Sequence, residues 1–138
     1  MADEASTSSL WPRLSGSDDQ GPYLHATRCA QCAHVMLGRR GRCTACWQSE
    51  RLEPLPVGRR GRVYSRTVIH AAAPGYVAPY SVGYVDLPEG IRVFAHLVSG
   101  EGTPAIGDEV QLEIVPLRTA DATNLTGPRY RRFEGGER

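Results

Sequence analysis

Cys29, Cys32, Cys43 and Cys46 are the only cysteines in the chain, and their spacing restricts its fold more than any other feature. They form two C-x-x-C pairs, C-A-Q-C and C-T-A-C, separated by the ten residues 33–42. A C-x-x-C turn aims two sulfurs at one point. Two such knuckles facing each other complete a tetrahedral thiolate shell, as a structural Zn²⁺ requires, at Zn–S distances of about 2.3 Å. With all four positions filled by protein, no coordination site is left for water or substrate, so the metal is expected to build structure and do no chemistry. Two disulfides, a thioredoxin-type redox pair and a rubredoxin-like iron site are the rival readings. Disulfides call for an exporting signal, and a redox C-x-x-C does not come as a matched pair of pairs. Iron stays open, because a tetrahedron of thiolates suits both metals.

The 138 residues allow one ordinary domain or two small ones. A ribbon of about 30 residues cannot bury enough apolar surface to fold alone, and the metal supplies what such a core lacks. The formal charge of +1 argues against a general nucleic-acid binder. No run of about 18 apolar residues is present, so no membrane-spanning helix is expected. Met1-Ala2-Asp3-Glu4 is acidic and leads into a Ser/Thr run, the reverse of a secretory signal. The expectation is a cytoplasmic protein whose thiols stay reduced for metal.

Residues 1–22 read as a tail ending in turns. Pro12, Gly16 and Gly21-Pro22 leave room for one helical turn at most. The zinc ribbon is expected over residues 23–57, and Pro54, Pro56 and Gly58 mark its end. From residue 58 to 134 the period changes to two. Val63, Ser65, Thr67 and Ile69 alternate with Tyr64, Arg66, Val68 and His70. Tyr80 to Leu87 reads as a second strand with Gly83 as a natural bend. Ile91 to Val98 is a third, Val110, Leu112 and Ile114 mark a fourth, and Arg129 to Phe133 a fifth. Gly100, Gly102 and Pro104 predict a loop where an OB barrel usually carries a helix. The fold class is therefore mainly β: an N-terminal rubredoxin-like zinc ribbon followed by a small five-stranded OB-type barrel, with residues 135–138 as a short tail.

Charge is unevenly placed. The chain has no lysine, and G-R-R-G-R occurs at 38–42 and again at 58–62. Residues 28–66 carry nine arginines against two glutamates, a surplus that survives the −2 of a zinc bound by four thiolates. These arginines either offset the metal cluster and solvate turns or form an anion site at the ribbon–barrel junction. Its candidates are Arg39, Arg40, Arg59, Arg60, Arg62 and Arg66, facing either a nucleic-acid backbone or the phosphates of a cofactor such as coenzyme A. Tyr64, Tyr80, Tyr84 and Phe94 are possible stacking platforms for a single strand. Residues 67–138, however, hold six arginines against nine acids, so a long basic track is missing. No nucleophile, base and oxyanion set stands out. His70 and His96 fall opposite the apolar faces of their strands and read as polar surface residues, His34 as a loop residue. His25 would act as a ligand only if a cysteine were lost. Trp11 and Trp47 are the candidate anchors for a protein partner.

Taken in order, R-C-A-Q-C, ten residues, C-T-A-C, G-R-V-Y-S-R-T-V-I-H, P-Y-S-V-G-Y-V-D-L-P-E-G-I-R-V-F-A-H-L-V and I-G-D-E-V-Q-L-E-I-V-P-L resemble a known pattern. The chain is similar, over about residues 10–134, to the prokaryotic zinc-ribbon/OB-fold proteins long filed as a domain of unknown function and found with thiolase-type enzymes. The resemblance implies a subunit without chemistry of its own, docked on a thiolase-superfamily enzyme (thiolase, acyltransferase or aldolase) in a hetero-oligomer. It also implies help with acyl-CoA binding, with aromatic or steroid catabolism as the setting, Zn²⁺ as the structural cofactor and the junction arginines near the CoA phosphates. Where that family often has glycine after each knuckle, Ala33 and Trp47 stand here. A single-stranded nucleic-acid module is the alternative.

Overall fold

The computed structural model describes the backbone of residues 6–9 and all of residues 14–133. The first sheet is built around β3 (Gly21–Cys29). One edge of β3 pairs with β2 (Ser15–Asp18) and then β4 (Val35–Leu37), and the other with β5 (Leu52–Val57), all antiparallel. The second sheet contains β6 (Arg60–Ile69), β7 (Tyr80–Asp86), β8 (Arg92–Leu97), β9 (Glu109–Ala120) and β10 (Thr123–Arg132). β6, β7 and β8 form a meander, β10 runs parallel to β8 and antiparallel to β9, and β9 returns to β6. The five strands thus close into a barrel. The strand β1 (Ser6–Ser9) adds in parallel to β10.

Period-two patterning decides which side chains enter the barrel. Val63, Val93, Ala95, Leu97, Val110 and Leu112 are buried, while Tyr64, Arg66, Val68, Arg92 and Phe94 point outward. Gly83 marks the bend. A Cβ there would sit 2.1 Å from the carbonyl oxygen of Ser65, beside the register shift between Val63 and Ser65 that lets β6 coil around the barrel. Residues 99–105 form no α-helix, only a 3₁₀ turn at Gly100–Gly102.

The two sheets share a core. Leu24, Ala26 and Val57 of the ribbon sheet pack in one cluster with Val63, Val85, Leu97, Leu112 and Tyr130 of the barrel. Tyr130 is wholly buried and its hydroxyl donates to the carbonyl of Gly58 at 2.7 Å. Burial pushes the Tyr130 phenol up, so it remains a donor. Gly58 has φ +79°, and a Cβ there would meet that hydroxyl at 2.8 Å. Arg59 then clamps the outside of the same junction. It makes a two-pronged bond to Asp18 (2.8 and 2.7 Å), donates to Gly21 O and lies over the Tyr23 ring. This pair holds the Asp18 carboxyl below its ordinary range. A second, much smaller cluster, Cys29, Met36 and Cys43, lies at the far end of β3.

Two stretches differ from the sequence expectation. Residues 15–18, read as tail, are a strand, because Asp18 Oδ1 accepts the Gln20 amide and Gly21 takes φ +106° to close a tight hairpin into β3. The last two barrel strands are also far longer than expected. They meet at Asp121-Ala122, both left-handed (φ 51° and 63°), in a two-residue turn that lacks the usual glycine. Trp11 lies outside the described residues.

Candidate metal centre and ligand surfaces

Each knuckle is shaped by its own backbone. The amide of Ala33 donates to Cys29 O, and that of Trp47 to Cys43 O, at 2.8 and 2.9 Å. Ala33 and Trp47 both take left-handed conformations, φ 71° and 70°, so the glycine-free positions adopt the turn that glycine would favour. Amides of Cys32, Ala45 and Cys46 point at the sulfurs of Cys29 and Cys43. Gln48, unremarked in the sequence, ties the site together. Its Nε2 donates to Cys29 Sγ at 3.0 Å, and its Oε1 accepts the amides of Glu50 and Arg51. His34 bridges the two loops by a bond to Thr44 Oγ1 and is not among the clustered sulfurs.

The four sulfurs lie within 4.8 Å of one another, with Cys29–Cys46 and Cys32–Cys43 each at 3.6 Å. A regular tetrahedron of sulfurs about 2.3 Å from zinc has edges of about 3.8 Å, so the donor set fits the ion. None of the four is in a disulfide. The clustered thiols also perturb one another's acidity. Burial pushes Cys29 up, but the Cys32 amide and Gln48 outweigh it and bring the thiol to about 6. Cys32 goes the other way. The amide at His34 lowers it, yet burial and the neighbouring sulfurs of Cys43, Cys29 and Cys46 push it up to about 12. Four thiolates at this separation need a positive ion to coexist. The arrangement is compatible with structural zinc, and with four protein donors it is closed to substrate.

The structure distributes the six candidate arginines over two surfaces. Arg39 reaches His25 Nε2, and His25 sits edge-on to Tyr23, which carries Arg59, so Arg39 and Arg59 share the outer face of β3. Nearby, Arg40 Nε donates to Leu37 O. Arg60, Arg62 and Arg66 alternate along β6 and all reach the segment 104–109. Arg60 pairs with Glu109 and stacks on Phe133, Arg62 donates to Gly107 O, and Arg66 donates to Pro104 O. Arg59 and Arg60 thus have carboxylate partners.

Of the stacking candidates, Tyr84 and Phe94 meet edge-to-face at 5.2 Å on the barrel exterior, and Arg92 covers Tyr64. Trp47 is 66% exposed beside the metal site. Tyr80 behaves differently. It joins Tyr76 and His96 in a set of near-parallel rings, so His96 is half-buried among aromatics rather than a surface residue. His70 is exposed, as the alternation predicts. No helix among the described residues is long and apolar enough to cross a membrane.

Comparison with known proteins supplies the context for these surfaces. The profile of the ChsH2 C-terminal OB-fold domain matches residues 55–115. The benzoylsuccinyl-CoA thiolase subunit BbsA of Thauera aromatica is 35% identical over 118 residues, 85% of this chain and 81% of that one. A DUF35 domain-containing scaffold protein of Methanothermobacter thermautotrophicus is 35% identical over 98 residues, 69% and 74% of the two chains. Among solved structures, the Ltp2-ChsH2(DUF35) aldolase superposes with a TM-score of 0.64 at 28% identity, over 80% of this chain and 84% of that chain.

Proposed function

Because the chain belongs to the thiolase-associated DUF35 family of OB-fold proteins, we propose that it is a non-catalytic subunit docking on a thiolase-superfamily enzyme and assisting its handling of acyl-CoA. The observation that carries this reading is the match to a thiolase subunit along four-fifths of that subunit's length. Two structural features support it. The Cys₄ site is closed, which suits a strut and not a reaction centre. The ribbon sheet and the barrel share one core, which makes the metal end a fixed arm of the barrel.

In this reading Trp47 is an anchor for the partner, since exposed aromatics dominate interface energetics. The CoA phosphates would meet Arg62 and Arg66, which share the β6 surface and whose described bonds go to neutral carbonyls and leave their charge available, while Arg39 and Arg40 stand on the other surface. Arg59 and Arg60 would contribute to the field while engaged with Asp18 and Glu109. An aromatic acyl group is the favoured cargo by analogy with the benzoylsuccinyl-CoA thiolase subunits, and a cytoplasmic hetero-oligomer the favoured setting.

The test is acyl-CoA binding and turnover by the thiolase-fold partner with and without this chain. Turnover should fall when the chain is withheld, and Arg62→Ala with Arg66→Ala should weaken CoA binding without dissociating the subunits. Sub-micromolar binding of single-stranded oligonucleotides with a steep salt slope, and no response to acyl-CoA, would make the barrel a strand binder instead.

A further inference from the structure

One group of side chains is absorbed by neither the metal centre nor the arginine surfaces. The loop between β6 and β7 folds back onto the arm formed by β9 and β10, where Thr119 N donates to Gly75 O and Arg118 Nε donates to Pro74 O. Between that loop, that arm and the ends of β7 and β8 lies a cleft of about 260 Å³. Tyr76, Tyr80 and His96 line it, each ring 5.3–5.6 Å from the other two at interplanar angles of 16–27°. Arg129 lines it as well, with its charge paired to Glu113 at 2.6 Å, and the Arg118 guanidinium stands 6.0 Å from the Tyr76 ring. Val77, 84% exposed, forms an apolar rim.

The position is informative. In OB barrels, ligands sit on the face of the second and third strands between the first–second and fourth–fifth loops, and this cleft lies there. Its size is below the usual range for a whole cofactor, about 300–1,000 Å³, and suits one planar ring system. Near-parallel aromatic rings offer a stacking floor, and Arg118, just outside the lining and bonded only to the neutral Pro74 carbonyl among the described contacts, favours an anion close to the Tyr76 ring. Burial, and then Arg129, lower the His96 imidazole below its ordinary value. This favours the neutral ring, which presents one donor and one acceptor nitrogen.

We propose that this cleft binds a flat aromatic group with a negative charge beside it, stacked against Tyr76 and Tyr80 and steered by Arg118. Two sources share that chemistry in an acyl-CoA: the adenine end with its phosphate, and an aryl acyl group bearing a carboxylate. The proposal rests on the subunit reading only for this choice of probes.

The test uses the metal-loaded full chain, titrated with adenosine 3′,5′-bisphosphate, 3-phenylpropanoate or propanoate while aromatic side-chain NMR signals are followed. The expected result is a saturable shift of Tyr76, Tyr80 and His96 with at least one of the two aromatic probes and none with propanoate. Whichever probe acts identifies the source. Tyr76→Leu should weaken binding about ten-fold. Arg118→Gln should weaken it for whichever aromatic probe binds, at unchanged melting temperature and with the Tyr76 and Tyr80 signals of the free chain unmoved, which shows that the loop stays docked by the Thr119–Gly75 bond. No saturable shift with either aromatic probe overturns the proposal, as do shifts confined to Tyr84 and Phe94. Neither variant should alter capture of the thiolase-fold partner. A chain that binds the probe and captures no partner would sink the subunit reading alone.

Discussion

The two ends of β3 lie in one strand yet are held by different physics. Among the described residues, Leu24 and Ala26 at its start belong to a core of twelve buried residues shared with the barrel. Cys29 at its end belongs, among the same residues, to a core of three, two of them cysteines. Apolar burial stabilises the first in proportion to area removed from water. The second has almost no such area and depends on metal linkage, because an ion bound only by the folded form contributes its binding free energy to folding. The difference teaches that a short β element need not carry its own core if it borrows one at each end.

Removing the metal should have the largest effect and should separate the two ends. With Cys43→Ser, or with a strong chelator, the loss is on the scale of zinc-site binding, about 10–16 kcal/mol for structural sites at neutral pH. Amide exchange should then rise sharply over residues 30–34 and 44–48 while β6 to β10 keep their protection. Simultaneous loss of protection in both would show a single cooperative unit. The converse perturbation is Leu97→Ala in the barrel, which should cost about 2–5 kcal/mol by denaturant unfolding and leave metal affinity unchanged. Between them lies Tyr130→Phe. It strips the Gly58 carbonyl of its buried donor, costs about 1–3 kcal/mol, and should loosen the ribbon–barrel junction in exchange experiments.

Acidity gives a subtler contrast. Folding lowers the His96 imidazole, through burial first and Arg129 second, so the folded barrel prefers the neutral ring. Its contribution is fully present above the unfolded value near 6.5 and is lost as pH falls through 6.5 toward the folded pKa. His96→Gln should flatten the stability profile in that window, measured where the metal remains bound. The smallest expected effect is at the knuckles. Ala33 holds φ 71°, so Ala33→Gly should stabilise the metal end by up to about 1 kcal/mol in metal-loaded melts, the relief of left-handed backbone less the extra chain entropy glycine loses, and leave the barrel unaffected.

The sequence made the barrel legible where side chains alternate and the metal centre where spacing alone suffices. Val93, Ala95 and Leu97 against Arg92 and Phe94 are an unbroken period of two, and the cysteine pairs carry their geometry in the C-x-x-C turn itself. The β9–β10 arm was hidden because its turn, Asp121-Ala122, has no glycine, and because Pro116 interrupts a strand that continues past it. Residues 15–18 were hidden for a different reason. A Ser-Gly-Ser-Asp strand has no apolar pattern and forms because β3 offers it an edge. His96 was placed on the correct face, but its stacking on Tyr76 needs a loop to fold back, and no local pattern announces that.

Native mass spectrometry of this chain affinity-purified from its host tests the central claim most directly. The account predicts a hetero-complex containing a thiolase-fold subunit and one zinc per copy of this chain, persisting when acyl-CoA is absent. A soluble monomer with no thiolase-fold protein bound would contradict it.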